Sequence, residues 1–166
     1  MRKPITVAIL EADPMFRQQV RTQLESTGDI VIVGEAADEA ELQEQMLSFP
    51  SLVLLAGLES LGRAQGVARL RARFPGIQVI LLHDGAKEAQ VLEALQQGAR
   101  GDLVRAGLRP DALVEAVRTV ARGEAFLSPA VAGRVVEEVA HRRGNRPLGT
   151  GAQEVADETE RPIRVD

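Results

Sequence analysis

The stretch TVAILEADPMFRQQVRTQLESTGDIVIVGEA, residues 6–36, decides the fold. It opens on the continuous apolar run TVAIL, the length and character of a strand buried on both faces. Pro14 then starts a helical pattern with Phe16, Val20 and Leu24 at intervals of four, which Gly28 and Asp29 end. A second β-branched run, residues 30–33, follows. A buried strand, an amphipathic helix and another buried strand make a β-α-β unit, which requires a parallel sheet.

The same unit repeats along the chain. Asp38 and Glu41 read as a helix cap and its third-position partner, with Leu42 and Met46 on the inner side and Pro50 as the stop. The runs at 52–55 and 77–82 read as strands, separated by a helix over 60–73 with Leu61, Val67 and Leu70 inward. Residues 86–97 are helical up to Gly98, residues 101–104 form a short fifth strand, and Pro110 heads a fifth helix that runs to Gly123. The expected architecture is a doubly wound, flavodoxin-like α/β domain over residues 1–127, with five parallel strands in the order 2-1-3-4-5. A linker-type helix at 128–143 starts at Ser128-Pro129 and repeats Val131, Val135 and Val139. Residues 144–166 are without period and are expected to be a flexible tail.

Composition narrows the function. Aromatic residues are 2% of the chain, with no Trp or Tyr, so a base-stacking surface for single-stranded nucleic acid is not expected. The net charge of −4 leaves no electrostatic footprint for DNA. Cysteine is absent, which removes disulfides, thiolate nucleophiles and Cys-rich zinc sites. The first apolar run is too short for a signal-peptide core, and no stretch approaches the ~20 residues that span a bilayer. The expectation is a cytoplasmic protein without a membrane association.

In a doubly wound sheet the functional crevice lies at the carboxyl ends of the strands. The residues there are 11–13, Ala56 and Gly57, His83 and Asp84, and Arg105 and Ala106. Glu11 and Arg105 are expected to face each other and form a permanent ion pair, for which arginine suits a carboxylate better than lysine. His83 and Asp84 lack the further ligands that a metal or acid–base site needs, so a packed histidine is the simpler reading.

Six segments carry a family likeness: AILEADPMFRQQVRTQLES, IVIVGEAADEAEL, FPSLVLLA, RFPGIQVILL, VLEALQQGARGDLV and LVEAVRTVARGEAFLSPAVAGRVVE. In this order they resemble the receiver domain of two-component response regulators, and most of all the receivers that precede a LuxR-type helix-turn-helix domain. The resemblance implies a bacterial signalling module and assigns roles to six positions. Glu11 and Ala12 stand where paired acids hold Mg²⁺, and Ala56 where the phosphate-accepting aspartate closes the third strand. His83 replaces a serine or threonine, Asp102 a switching tyrosine or phenylalanine, and Arg105 a lysine.

An alanine methyl offers no nucleophilic oxygen, and one remaining acid cannot supply the oxygen ligands that Mg²⁺ wants. The resemblance therefore implies a degenerate phosphorylation site, no catalysis, and no cofactor or metal. The expected role is a phosphorylation-independent contact module. Its partner is another protein or a second copy, engaged around Val91, Leu95, Leu113 and Val117 where these are exposed, and along Val131, Val135 and Val139. Specific DNA binding by the chain itself is not expected. Two alternatives stand beside this: a small-ligand sensor lined by Glu11, His83, Asp84 and Arg105, or a truncated or decayed regulator.

Overall fold

The structure is a computed structural model that describes residues 3–48, 51–62 and 65–144. The stop expected at Pro50 and all of the tail expected over 144–166 except Gly144, which is helical, lie outside the described residues. The chain divides into two compact units at residues 132 and 133.

The first unit is a parallel five-stranded sheet in the order β2-β1-β3-β4-β5. The strands are β1 (Ile5–Leu10), β2 (Ile30–Ala36), β3 (Val53–Gly57), β4 (Gln78–His83) and β5 (Gly101–Val104). Between them run α1 (Pro14–Glu25), α2 (Glu39–Ser48), α3 (Gly66–Arg73), α4 (Glu88–Gln96) and α5 (Pro110–Ala121). Side chains alternate across the strands. Val7, Ile9, Val53, Leu55, Ile80, Leu82 and Leu103 pack with Val20 and Leu24 of α1 and with Leu113, Val117 and Val120 of α5. The alternate positions, among them Leu10, Ala56, Leu81, His83 and Asp102, turn to the opposite face, and all five are buried.

The local reasons are those of the sequence. Asp13 caps α1 by accepting from the amides of Met15 and Phe16. Asp38 accepts from the amide of Glu41 at 2.9 Å, and the Glu41 carboxylate returns to the amide of Ala37 at 2.9 Å. The capping pair thus closes one residue earlier than in the standard reciprocal box.

One element differs from expectation. The helix expected over 60–73 is instead a 3-10 turn at Glu59–Leu61 followed by α3. Gly62 breaks the run, with a φ of 75° that a right-handed helix does not permit. Leu61, Val67 and Leu70 still point inward.

Each edge of the sheet is partly paired by a segment that is not a strand of it. On the β5 side, the amide of Asp102 donates to the carbonyl of Phe126 at 3.0 Å, and the amide of Phe126 donates to the carbonyl of Arg100 at 3.1 Å. On the β2 side, the Gln45 side chain acts as a one-residue strand. Its Oε1 accepts from the Glu35 amide at 2.8 Å and its Nε2 donates to the Glu35 carbonyl at 2.5 Å.

A last helix, α6 (Pro129–Gly144), begins in the first unit and supplies the described part of the second. The Ser128 carbonyl accepts the first helical bond, from the Ala132 amide at 2.8 Å, so Ser128 is the cap residue.

Candidate functional site: the crevice at the strand ends

The carboxyl ends of β1, β3, β4 and β5 bring Glu11, Ala56, His83 and Arg105 together. Ala56 is fully buried between Leu10 and Leu81 in the sheet register. Its methyl group fills space and offers no nucleophilic atom.

Glu11 is 2% exposed, deep for a carboxylate. One of its oxygens accepts from the Arg105 guanidinium and the other accepts from the Asp13 amide at 2.9 Å. The ion pair expected from the sequence is formed. Gly57 makes room for it: a side chain there would place its Cβ 2.5 Å from Glu11 Oε1. Arg105 is held further by Asp84, 3.5 Å from its Nε, and by the Phe16 ring, whose centroid lies 4.6 Å from the guanidinium carbon. Burial by itself favours the neutral guanidine. The hydrogen bond to Glu11 and the charges of Glu11, Asp84 and Asp13 outweigh it, so Arg105 is more firmly protonated than a free arginine.

Mg²⁺ does not fit these residues. It needs a near-octahedral set of oxygens. Glu11 is committed to Arg105, Asp13 caps α1 through Oδ1, and positions 12 and 56 are alanines. Among the described residues no three metal-binding side chains gather at one place.

His83 and Asp102 meet in the interior. The strand register pairs Leu81 with Asp102 and His83 with Val104, so all four side chains share one face. His83 Nε2 lies 2.7 Å from Asp102 Oδ2. The amide of Gly85 donates to His83 Nδ1 at 3.2 Å. A backbone amide can only donate, so Nδ1 carries the lone pair and Nε2–H donates to Asp102: the imidazole is neutral. Asp102, fully buried, also accepts from the Ser128 amide at 2.8 Å and from the Ser128 hydroxyl at 2.6 Å. Three donors and the positive end of α6 hold the carboxylate in place.

The sequence separated His83 from Asp102 and read Ser128 only as a helix start; the β4–β5 register is the signal that would have joined the first two.

The expected contact residues need correction. Val91, Leu113, Val117 and Val131 are fully buried and belong to the core, because a regular apolar stripe on a surface helix first serves its own sheet. Leu95 and Val135 are half-buried. Val139 is 55% exposed, and Val136, which the four-residue spacing passed over, is 68% exposed. Among the described residues no helix is long and apolar enough to cross a membrane.

No protein-family model matches the chain. A curated relative, the probable transcriptional regulatory protein NarL of Mycobacterium tuberculosis, is 31% identical over 140 residues, which are 83% of this chain and 64% of the relative. The chain thus spans under two thirds of that protein's length. The solved signal receiver domain of the putative response regulator NarL from the same organism is 30% identical, superposes with a TM-score of 0.68, and is matched over 100% of its length by 74% of this chain. The chain belongs to the response-regulator receiver family. A structure of RcsB dimers bound to two parallel DNAs shares the receiver fold, with a TM-score of 0.71 at 23% identity over 81% of this chain and 69% of that one. The five-stranded sheet in the order β2-β1-β3-β4-β5 is thus the family's fold.

Proposed function

We propose that this receiver works without phosphorylation, as a non-catalytic protein-contact module in two-component-type signalling. The observation that carries the reading is Ala56, buried at the end of β3 beside a crevice in which the buried Glu11 carboxylate is already paired with Arg105. An acyl phosphate has no oxygen to form on at that position. In receivers that are phosphorylated, the modification adds about −1.5 to −2 charges and reorders nearby loops. Here the Arg105 cation is instead paired permanently with the Glu11 carboxylate, and no acid stands at position 56 to take that added negative charge. The partner is a protein or a second copy of the chain; the RcsB structure, described as dimers, is a precedent for the second.

Incubation with acetyl phosphate and Mg²⁺, followed by intact-mass measurement, tests the reading. The expected result is no phosphoryl adduct under conditions that label a receiver with an aspartate at this position. An adduct, mapped to Asp13, Asp84 or any other acid, would overturn it.

A ligand-sensing crevice is the weaker alternative. The cavity among Leu58, Leu82, His83, Asp84, Lys87 and Arg105 measures about 10 Å³, room for roughly one water molecule. Small-molecule sites run to about 300–1,000 Å³.

A further inference from the structure

We propose that His83, Asp102 and Ser128 form a permanent latch that ties the start of α6 to β5 and makes its order depend on the crevice end of β4. The latch stands apart from the question of phosphorylation, since none of its atoms requires a phosphate.

The main chain brings the parts together. Phe126 lies along β5 through two backbone bonds, at 3.0 and 3.1 Å, and so delivers Ser128 to the Asp102 side chain. Ser128 then gives Asp102 both of its donors, amide to Oδ1 at 2.8 Å and hydroxyl to Oδ2 at 2.6 Å. His83 shares Oδ2 from the other side at 2.7 Å. The imidazole is itself oriented by the Gly85 amide, 3.2 Å from Nδ1. A line of four groups therefore runs from the loop after β4, through the interior, to the cap of α6.

The chemistry makes the line cooperative. Asp102 is fully buried and His83 is 3% exposed, so neither can exchange a lost partner for bulk water. Because His83 and the Ser128 hydroxyl meet on one oxygen, removing the imidazole leaves the carboxylate short of a donor. The carboxylate must then rotate toward another donor, which disturbs Ser128. The two ends are coupled through a single carboxylate although they do not touch.

Hydrogen exchange on the full chain, followed at individual amides, tests this. His83→Ala is expected to speed exchange at residues 126–132 by about tenfold, with the amides of β1 and β3 unchanged. Coupling is reciprocal. Ser128→Ala, a change at a half-buried residue, is expected to speed exchange of the Gly85 amide. Val79→Ala, a buried change of β4 outside the network, shows the pattern of general loosening. Exchange at 126–132 unaltered by His83→Ala overturns the latch, as does a rise spread equally over β1, β3 and 126–132 in the manner of Val79→Ala. Additive effects of His83→Ala and Ser128→Ala in the double variant overturn it too. If His83→Ala does not fold, Ser128→Ala decides alone, and an unchanged Gly85 amide is the negative result.

Discussion

Glu11 is 2% exposed and satisfied on both oxygens, one by Arg105 and one by the Asp13 amide. Replacing it with alanine leaves the partly buried Arg105 guanidinium with the looser contact to Asp84 and the face of the Phe16 ring. The expected cost is about 2–4 kcal/mol, because the loss falls mainly on the charge left behind. The urea midpoint of Glu11→Ala against wild type measures it, and added Mg²⁺ should shift neither midpoint. Asp102 belongs to the same class. Asp102→Ala strands a buried imidazole N–H and removes both side-chain contacts to Ser128. Roughly 2–3 kcal/mol should be lost, read from the same denaturation curves. The Glu11–Arg105 pair was legible from the sequence, since both residues close strands that a doubly wound sheet must bring to one end. The His83–Asp102–Ser128 chain was not. It depends on a register between β4 and β5 and on the path of residues 126–128, neither of which is written in a local pattern.

At the scale of elements, the edges of the sheet are the informative feature. Strand β2 is an edge strand, and unpaired edges invite another chain. Gln45 answers part of this by pairing both backbone groups of Glu35 with its own amide. Gln45→Ala should cost about 1 kcal/mol for the lost bonds and should expose the Glu35 amide to faster exchange, with the β1 amides slow as before. Gln45→Leu should do the same, which separates the hydrogen bonds from simple packing. The helices teach a different lesson. Alternating apolar runs and helical stripes placed the strands and most helices correctly, because burial is periodic and periodicity is visible. The same stripes could not tell an inner face from a docking face. Val91, Leu113 and Val117 turned out to be core for that reason. The break at Gly62 was hidden by a helical pattern that continues on either side of it.

At the scale of the first unit, the sheet is stitched together by contacts remote in sequence. Arg118 of α5 reaches Asp29, just before β2, through two hydrogen bonds of 2.9 Å. The Arg118 hydrogen bond, against a smaller opposing effect of burial, holds the Asp29 carboxyl at about 2, below its ordinary 3.8. An acid whose folded pKa is depressed contributes stability above its unfolded pKa and loses that contribution as pH falls through the folded one. The stability difference between wild type and Asp29→Asn should therefore be constant at neutral pH and vanish as pH drops from about 4 to about 2. Both side chains are close to half exposed, so the difference should be small and should shrink further in high salt. Chemical denaturation at several pH values, at low and high ionic strength, measures both effects.

The guanidinium of Arg105 has one more consequence. On the proposed reading, the charge at the crevice is encoded in the chain and cannot be added or hydrolysed. A phosphorylated receiver has a lifetime, and that lifetime times the response. A receiver whose crevice charges all belong to its own side chains keeps no time. Its influence then scales with the number of copies present, so control would pass from a kinase and its clock to synthesis, degradation and the supply of the partner.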